Sequence, residues 1–129
     1  MIKEVINSAT IKFSNGVRVV NTTPHPITFL DGENIVTCGS AKELLVNAKP
    51  TEVEVAPMLV KTTFLPTEEG QASIDGIREI YPNAVIVGSI IAANAYKDVV
   101  GVCPCLGFER VPPAEKRMRT DKFNVGECW

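Results

Sequence analysis

The sequence predicts an α+β fold, with a mostly antiparallel β-sheet and two short helices packed on it. Short apolar or alternating runs between turn residues predict the strands. Asn15-Gly16 lies between two such runs, and this dipeptide is the strongest short-range signal of a hairpin. Isoleucines spaced by three residues after Pro66 predict the first helix, and an alanine-rich stretch from Ile90 predicts the second.

Two hairpins are predicted near the start of the chain, followed by further β-like runs. The first hairpin pairs 9–13 with 17–20, and the second pairs 27–30 with 35–38 across the turn 31–34. The later runs are 44–46, 53–55, 59–65 and 98–103, with Gly39-Ser40, Lys49-Pro50 and Pro57 as separators among the first of them. We therefore expect a sheet that is largely antiparallel.

The first helix has clear start and stop signals. Thr67 is placed to cap it, and Glu68 and Glu69 follow where the helix dipole favours negative charge. Ile74, Ile77, Ile80 and Tyr81 form one apolar face, and Pro82-Asn83 ends the helix.

The stretch Ala84–Tyr96 is predicted to form a strand, a turn at Gly88-Ser89, and a helix. Such a turn directs the free N–H groups of the first helical turn outward, where they can hold a phosphate or a carboxylate. Ser89 is either the N-cap or a donor to a ligand. The pattern is equally that of a central strand with a packed helix, and the sequence leaves both interpretations open.

Length and composition limit the classes of function. The 129 residues fit a single domain, 1–129, and a net charge of −2 gives no general reason to expect DNA binding. Since no apolar run reaches about 18 residues and the first residues carry charges, we expect no membrane association and a cytoplasmic location.

The cysteines are expected to be reduced thiols. There are four of them, and Cys103-Pro104-Cys105 has one intervening residue where zinc and redox motifs have two. The single histidine is far away in the sequence. We therefore expect neither a metal site nor a cofactor.

The segment from about 106 to 129 is basic and contains Pro112-Pro113, which should stop any regular element there. Arg110, Arg117 and Arg119 are candidate phosphate ligands because a guanidinium grips a phosphate through two parallel hydrogen bonds. Phe108 lies nearby, and an aromatic ring can stack on a nucleobase. The alternative is a solvated face of mixed charge.

The segment 21–26, Asn-Thr-Thr-Pro-His-Pro, is a stiff polar loop. Thr23 and His25 are candidate ligand contacts on it, although Asn and Thr also cap turns without any ligand. An enzyme is not expected: the one histidine lies between prolines, and neither a Walker loop nor a dinucleotide fingerprint is present.

Three segments resemble a known group of phage proteins. They are NTTPHPI at 21–27, AVIVGSIIAANAY at 84–96 and GFERVPPAEKRMR at 107–119. The chain from about Val19 to Arg119 is similar to the first-described Thoeris anti-defence family. The resemblance implies a phage protein that sequesters a cyclic ADP-ribose signal made by bacterial TIR-domain enzymes, without cleaving it. It also implies a homo-oligomer built from dimers, with cyclic oligonucleotides as a further possible ligand class at a separate site.

The resemblance carries specific residues to the site. These are Asn94 and Tyr96 on the alanine-rich segment, Arg110 and Arg119 in the basic segment, and Thr23 with His25 in the proline loop. Asn94 suits a base edge or a ribose hydroxyl because its amide both donates and accepts hydrogen bonds. Two rival hypotheses remain: an enzyme that cleaves such a nucleotide, and a protein-interaction module with no small ligand.

Overall fold

The computed structural model describes residues 2–129, which form an α+β domain. Seven strands form one mixed sheet in the order β1-β2-β7-β8-β9-β3-β4, and β5 pairs with β6 in a separate hairpin. The strands are β1 Thr10–Lys12, β2 Arg18–Asn21, β3 Ile27–Asp31, β4 Asn34–Cys38, β5 Ala48–Ala56, β6 Leu59–Pro66, β7 Val85–Val87, β8 Val99–Pro104 and β9 Met118–Val125. The helices are α1 Ile2–Ser8, α2 Glu68–Ile80 and α3 Ile90–Ala95.

Both predicted hairpins are confirmed. Strands β1 and β2 pair antiparallel on either side of the Asn15-Gly16 turn, where Gly16 has a φ of +89°. Strands β3 and β4 pair antiparallel around Gly32, whose φ is +64°. Glycine adopts these left-handed conformations without steric cost, which explains why the hairpin signals in the sequence were reliable.

The two predicted helices are also confirmed, with their caps. The Thr67 hydroxyl accepts from the Gly70 N–H at 3.0 Å at the start of α2. The Ser89 hydroxyl accepts from the Ala92 N–H at 3.1 Å at the start of α3. The strand-turn-helix of 84–96 is therefore present, and the hydroxyl of Ser89 acts as its N-cap.

A third helix, α1, was not predicted from the sequence. It is seven residues long, and such a short helix forms because packing holds it rather than through its own propensity. The side chain of Ile6 is fully buried against the helix-side core. The Thr10 hydroxyl donates to the Ile6 carbonyl and so links α1 to β1.

Three local predictions were wrong. Residues 42–44 form a 3-10 helix where a β-like run was expected over 44–46, because Leu44 and Val46 are buried in the core rather than paired in a sheet. Lys49-Pro50, expected as a separator, lies inside β5; that strand has a free edge, where the missing N–H of proline costs no ladder bond. After Pro112-Pro113, where no regular element beyond one helical turn over 114–119 was expected, a 3-10 turn at Pro113–Glu115 is followed by β9, which lies between β8 and β3 in the sheet.

The sheet curls until its two edges approach each other. The Cys38 thiol at the end of β4 donates to the Ala9 carbonyl next to β1 at 3.2 Å. Inside the curl, Phe13 and Phe29 pack with ring centroids 4.8 Å apart. On β2 and β7 the alternation of side chains sends Val19 and Val87 inward, and sends Val20 and Ile86 to the helix side.

The helix-side core holds α2 and α3 on the sheet, with Ile74, Ile77, Ala92 and Tyr96 among its buried members. No helix within residues 2–129 is long and apolar enough to cross a membrane.

Candidate functional site

A cleft of about 320 Å³ opens where β7 passes into α3, beside the middle of β8 and the end of β9. We call it the Asn94 cleft. Its lining residues all have neutral side chains or none: Gly88, Ser89, Ile90, Ala93, Asn94, Gly101, Val102, Asn124, Val125 and Gly126. The volume lies in the range of small-molecule sites.

Two glycines permit the close approach of backbone that forms the cleft. A Cβ on Gly88 would lie 2.6 Å from the Val99 side chain. A Cβ on Gly126 would overlap the carbonyl of Ala93 and lie 2.7 Å from the Asn94 nitrogen. The chain after β9 is therefore held directly against α3.

The polar groups of the cleft are fixed and only partly satisfied. Asn94 Oδ1 accepts from the Glu127 N–H at 2.9 Å, which orients the amide, and Asn94 Nδ2 has no partner within residues 2–129. Asn124 Nδ2 donates to the Val102 carbonyl at 3.3 Å, which leaves Asn124 Oδ1 as a free acceptor in the same range. The cleft thus offers both a hydrogen-bond donor and an acceptor, the combination that reads a nucleobase edge or a ribose hydroxyl.

The structure brings Ser89 and Asn94 together in this cleft and places the other predicted site residues elsewhere. Arg110 is exposed and lines a different cavity with Gly107, Glu109 and Val111. Phe108 is half-buried outside the cleft lining, and its N–H donates to the Cys105 carbonyl at 2.9 Å.

Arg117 and Arg119 both have partners within the chain. Arg117 donates to the carbonyls of Lys116 at 2.8 Å and Ala114 at 3.5 Å. Arg119 binds the Asp121 carboxylate through two hydrogen bonds of 2.9 Å. This hydrogen bonding raises the pKa of Arg119 and lowers the pKa of Asp121. Arg117 directly precedes β9 and Arg119 lies within it, so this part of the basic segment belongs to an inner strand of the sheet.

In the proline loop, a buried asparagine sets the geometry. Asn21 is fully buried, and its Nδ2 donates to the carbonyls of His25 at 2.8 Å and Gly39 at 3.0 Å. Its Oδ1 accepts from both the N–H and the hydroxyl of Thr23. Of the two interpretations of this loop, the structure shows the turn-capping one for the Thr23 hydroxyl, while the imidazole of His25 is exposed.

Tyr96 is a core residue. Only 3% of it is exposed, and its hydroxyl donates to the Asn47 carbonyl and accepts from the Thr67 N–H, both at 2.7 Å. It therefore joins the end of α3 to the start of α2, and its ring has no exposed face for stacking in this chain.

All four cysteines are free. Burial raises the pKa of the Cys38 thiol to about 11, and burial also raises the pKa of Cys105 although Arg119 opposes it. Within residues 2–129, no group of three or more His, Cys, Asp or Glu side chains is arranged to hold a metal ion.

Sequence reasoning missed Asn124 and Gly126 as cleft residues. Asn124 lies in β9 and Gly126 directly follows it, whereas Pro112-Pro113 predicted no regular element in this segment. The alternation of Phe123 and Val125 with polar neighbours was the signal that could have revealed the strand.

Comparisons with known proteins supply no relative from which to assign this site. No family model matches the chain, and neither a curated protein nor a solved structure matches it.

Proposed function

We propose that this chain is a phage binding protein that sequesters a cyclic ADP-ribose-type immune signal in the host cytosol without cleaving it. The observation that carries the proposal is the Asn94 cleft, where an oriented amide, whose Nδ2 has no partner among the described residues, lies among neutral side chains. Such a lining binds through hydrogen bonds and apolar contact. The resemblance of three segments to the Thoeris anti-defence family supports the same ligand class.

Because its lining is neutral, the Asn94 cleft alone supplies no cation for the phosphates of such a ligand. The two phosphates carry negative charge, and within the chain Arg110 lines a separate cavity. We propose that the cation comes to the cleft from a second copy of the chain, so that the complete site forms in a homo-oligomer built from dimers. Cyclic oligonucleotides belong to the same proposal as a further ligand class.

Asn94→Asp tests the role of the cleft. Aspartate keeps an oxygen for the Glu127 N–H, removes the free donor, and adds a negative charge that repels phosphate. We expect the dissociation constant for the signal to rise at least about tenfold, since one lost hydrogen bond is worth about 1 kcal/mol before repulsion is added. Titration of purified signal, followed by calorimetry, measures the change.

The matched control is Asn34→Asp, which makes the same replacement at an exposed position on β4. It should bind as the unmodified protein does. Equal affinity of Asn94→Asp and the unmodified protein would contradict the assignment of the cleft, and turnover of the signal to a product would favour the rival enzyme hypothesis.

The β5–β6 hairpin favours self-association. The hairpin packs on α3 on one side, and elsewhere it exposes apolar side chains on both strands and in the turn between them: Val53, Val55, Met58, Leu59, Val60 and Leu65. Burying them against a second copy would remove apolar surface from water and cover a free strand edge.

We expect Val53→Lys with Val55→Lys to convert the oligomer to a monomer of 14.0 kDa, because two charges cannot be buried in an apolar interface. Light scattering after size-exclusion chromatography measures the mass. Ile35→Lys is the control, since Ile35 is equally exposed but lies on β4. A double variant that keeps the mass of the unmodified protein would contradict the role of the hairpin.

A further inference from the structure

A second cleft lies at the opposite end of β7 from the Asn94 cleft and has a different character. It has a volume of about 420 Å³ and is formed by the end of β1, the β1–β2 turn and the chain between α2 and β7. We call it the Arg18 cleft. Its lining contains two cations, Lys12 and Arg18, and no carboxylate, and it shares no lining residue with the Asn94 cleft.

The two cations are directly opposed in the sheet. Lys12 and Arg18 are register partners in the antiparallel β1–β2 pair, so their side chains leave the same face next to each other. Like charges at such a position are unfavourable unless something of opposite charge neutralises them. Within residues 2–129, neither side chain has a hydrogen-bond or ion-pair partner.

The Arg18 guanidinium is held in place by an aromatic ring. Its central carbon lies 4.4 Å from the centroid of the Tyr81 ring, and the Tyr81 hydroxyl donates to Asn7 on α1. Stacking uses the face of the guanidinium and leaves the N–H groups at its edge free for an acceptor. Arg18 is therefore oriented before any ligand arrives.

Two backbone carbonyls beside the cleft are hydrogen-bonded to a third basic side chain. The carbonyls of Pro82 and Ala84, which belong to lining residues, both accept from the Arg78 guanidinium. Arg78 therefore covers two carbonyl oxygens that would otherwise oppose negative charge at the end of α2, although its own charge is paired with Asp98 at 3.8 Å.

We propose that the Arg18 cleft is an anion-binding site for the phosphate or diphosphate group of a small molecule. The planar edge of Arg18 provides the paired donors that a phosphate accepts, and Lys12 adds a mobile point charge beside it. The site is independent of the ligand proposed for the Asn94 cleft.

Calorimetric titration with inorganic pyrophosphate at low ionic strength, without divalent cations, tests the proposal. We expect saturable binding of one pyrophosphate per chain. Arg18→Gln should weaken it about ten- to hundredfold, as expected for loss of hydrogen bonds to a charged group, and Lys12→Gln should weaken it less. Arg18→Lys keeps the charge but loses the fork, so it should bind more weakly than the unmodified protein.

Two controls separate this site from general charge and from the other cleft. Lys42→Gln removes one positive charge at an exposed position, and Asn94→Asp alters the other cleft; both should leave the pyrophosphate affinity within about twofold. No saturable binding, an equal loss in Lys42→Gln and Arg18→Gln, or a loss confined to Asn94→Asp would each overturn the proposal. Circular dichroism of Arg18→Gln confirms that the variant is folded.

Discussion

Replacing Tyr96 by alanine is expected to lower the free energy of unfolding by about 4 kcal/mol, because a large buried side chain is lost and a cavity remains. The tyrosine is 3% exposed, and its hydroxyl bonds to both Asn47 and Thr67. Tyr96→Phe keeps the ring but leaves the Asn47 carbonyl and the Thr67 N–H without this partner, and we expect a loss of about 2 kcal/mol. Chemical denaturation measures both values.

Tyr81→Phe is the matched control. Its hydroxyl donates to an exposed Asn7, where water can replace the lost bond, so the loss should stay below about 1 kcal/mol. If Tyr96→Phe were as stable as the unmodified protein, the Tyr96 hydroxyl would not stabilise the fold as we infer. Folded Tyr96→Phe should retain ligand, because the ring is buried within the chain.

Asn21→Ala is expected to destabilise the protein by about 3 kcal/mol. The side chain is fully buried and makes four hydrogen bonds, two donated from Nδ2 and two accepted by Oδ1. Alanine leaves the part-buried carbonyl of Gly39 and N–H of Thr23 without these partners, and each lost bond costs about 1 kcal/mol in addition to the lost packing of the buried side chain. The denaturant midpoint should fall while the slope of the transition stays unchanged.

Thr37→Ala provides the comparison for Asn21. The Thr37 hydroxyl is exposed and, among the residues that the structure describes, bonds only to Thr28 across the hairpin, so the loss of stability should stay within about 0.5 kcal/mol. A loss in Asn21→Ala no larger than in Thr37→Ala would show that the loop does not depend on the buried amide. The conformation of the loop that carries Thr23 and His25 would then depend on other contacts.

The parts of the fold that could be predicted are those where local chemistry decides the conformation. Asn15-Gly16 fixes a hairpin because few residues other than glycine adopt its turn, and Thr67 and Ser89 cap helices through bonds within three residues. Strand β9 was missed because Pro112-Pro113 was expected to stop regular structure, and only its place between β8 and β3 depends on contacts far away in the sequence. Helix α1 was not predicted because a helix of seven residues has little stability of its own, and the burial of Ile6 stabilises it.

In the candidate site too, the residues placed by local geometry could be predicted and those placed by distant contacts could not. Ser89 and Asn94 share a cleft because both belong to one strand-turn-helix unit, whose local geometry the sequence specifies. Arg110, Arg117 and Arg119 were grouped by their nearness in sequence, but the turn after β8 and strand β9 place them apart from that cleft. The position of Tyr96 in the core depends on its distant partners, Asn47 and Thr67.

Recovery of the intact signal distinguishes sequestration from cleavage. The purified protein is incubated with lysate from cells whose TIR-domain defence is active and then filtered, and the retained protein is heated to release its ligand. The proposed sequestration predicts that the signal is absent from the filtrate and is recovered unchanged after heating. Destruction of the signal, or its persistence in the filtrate, would exclude sequestration.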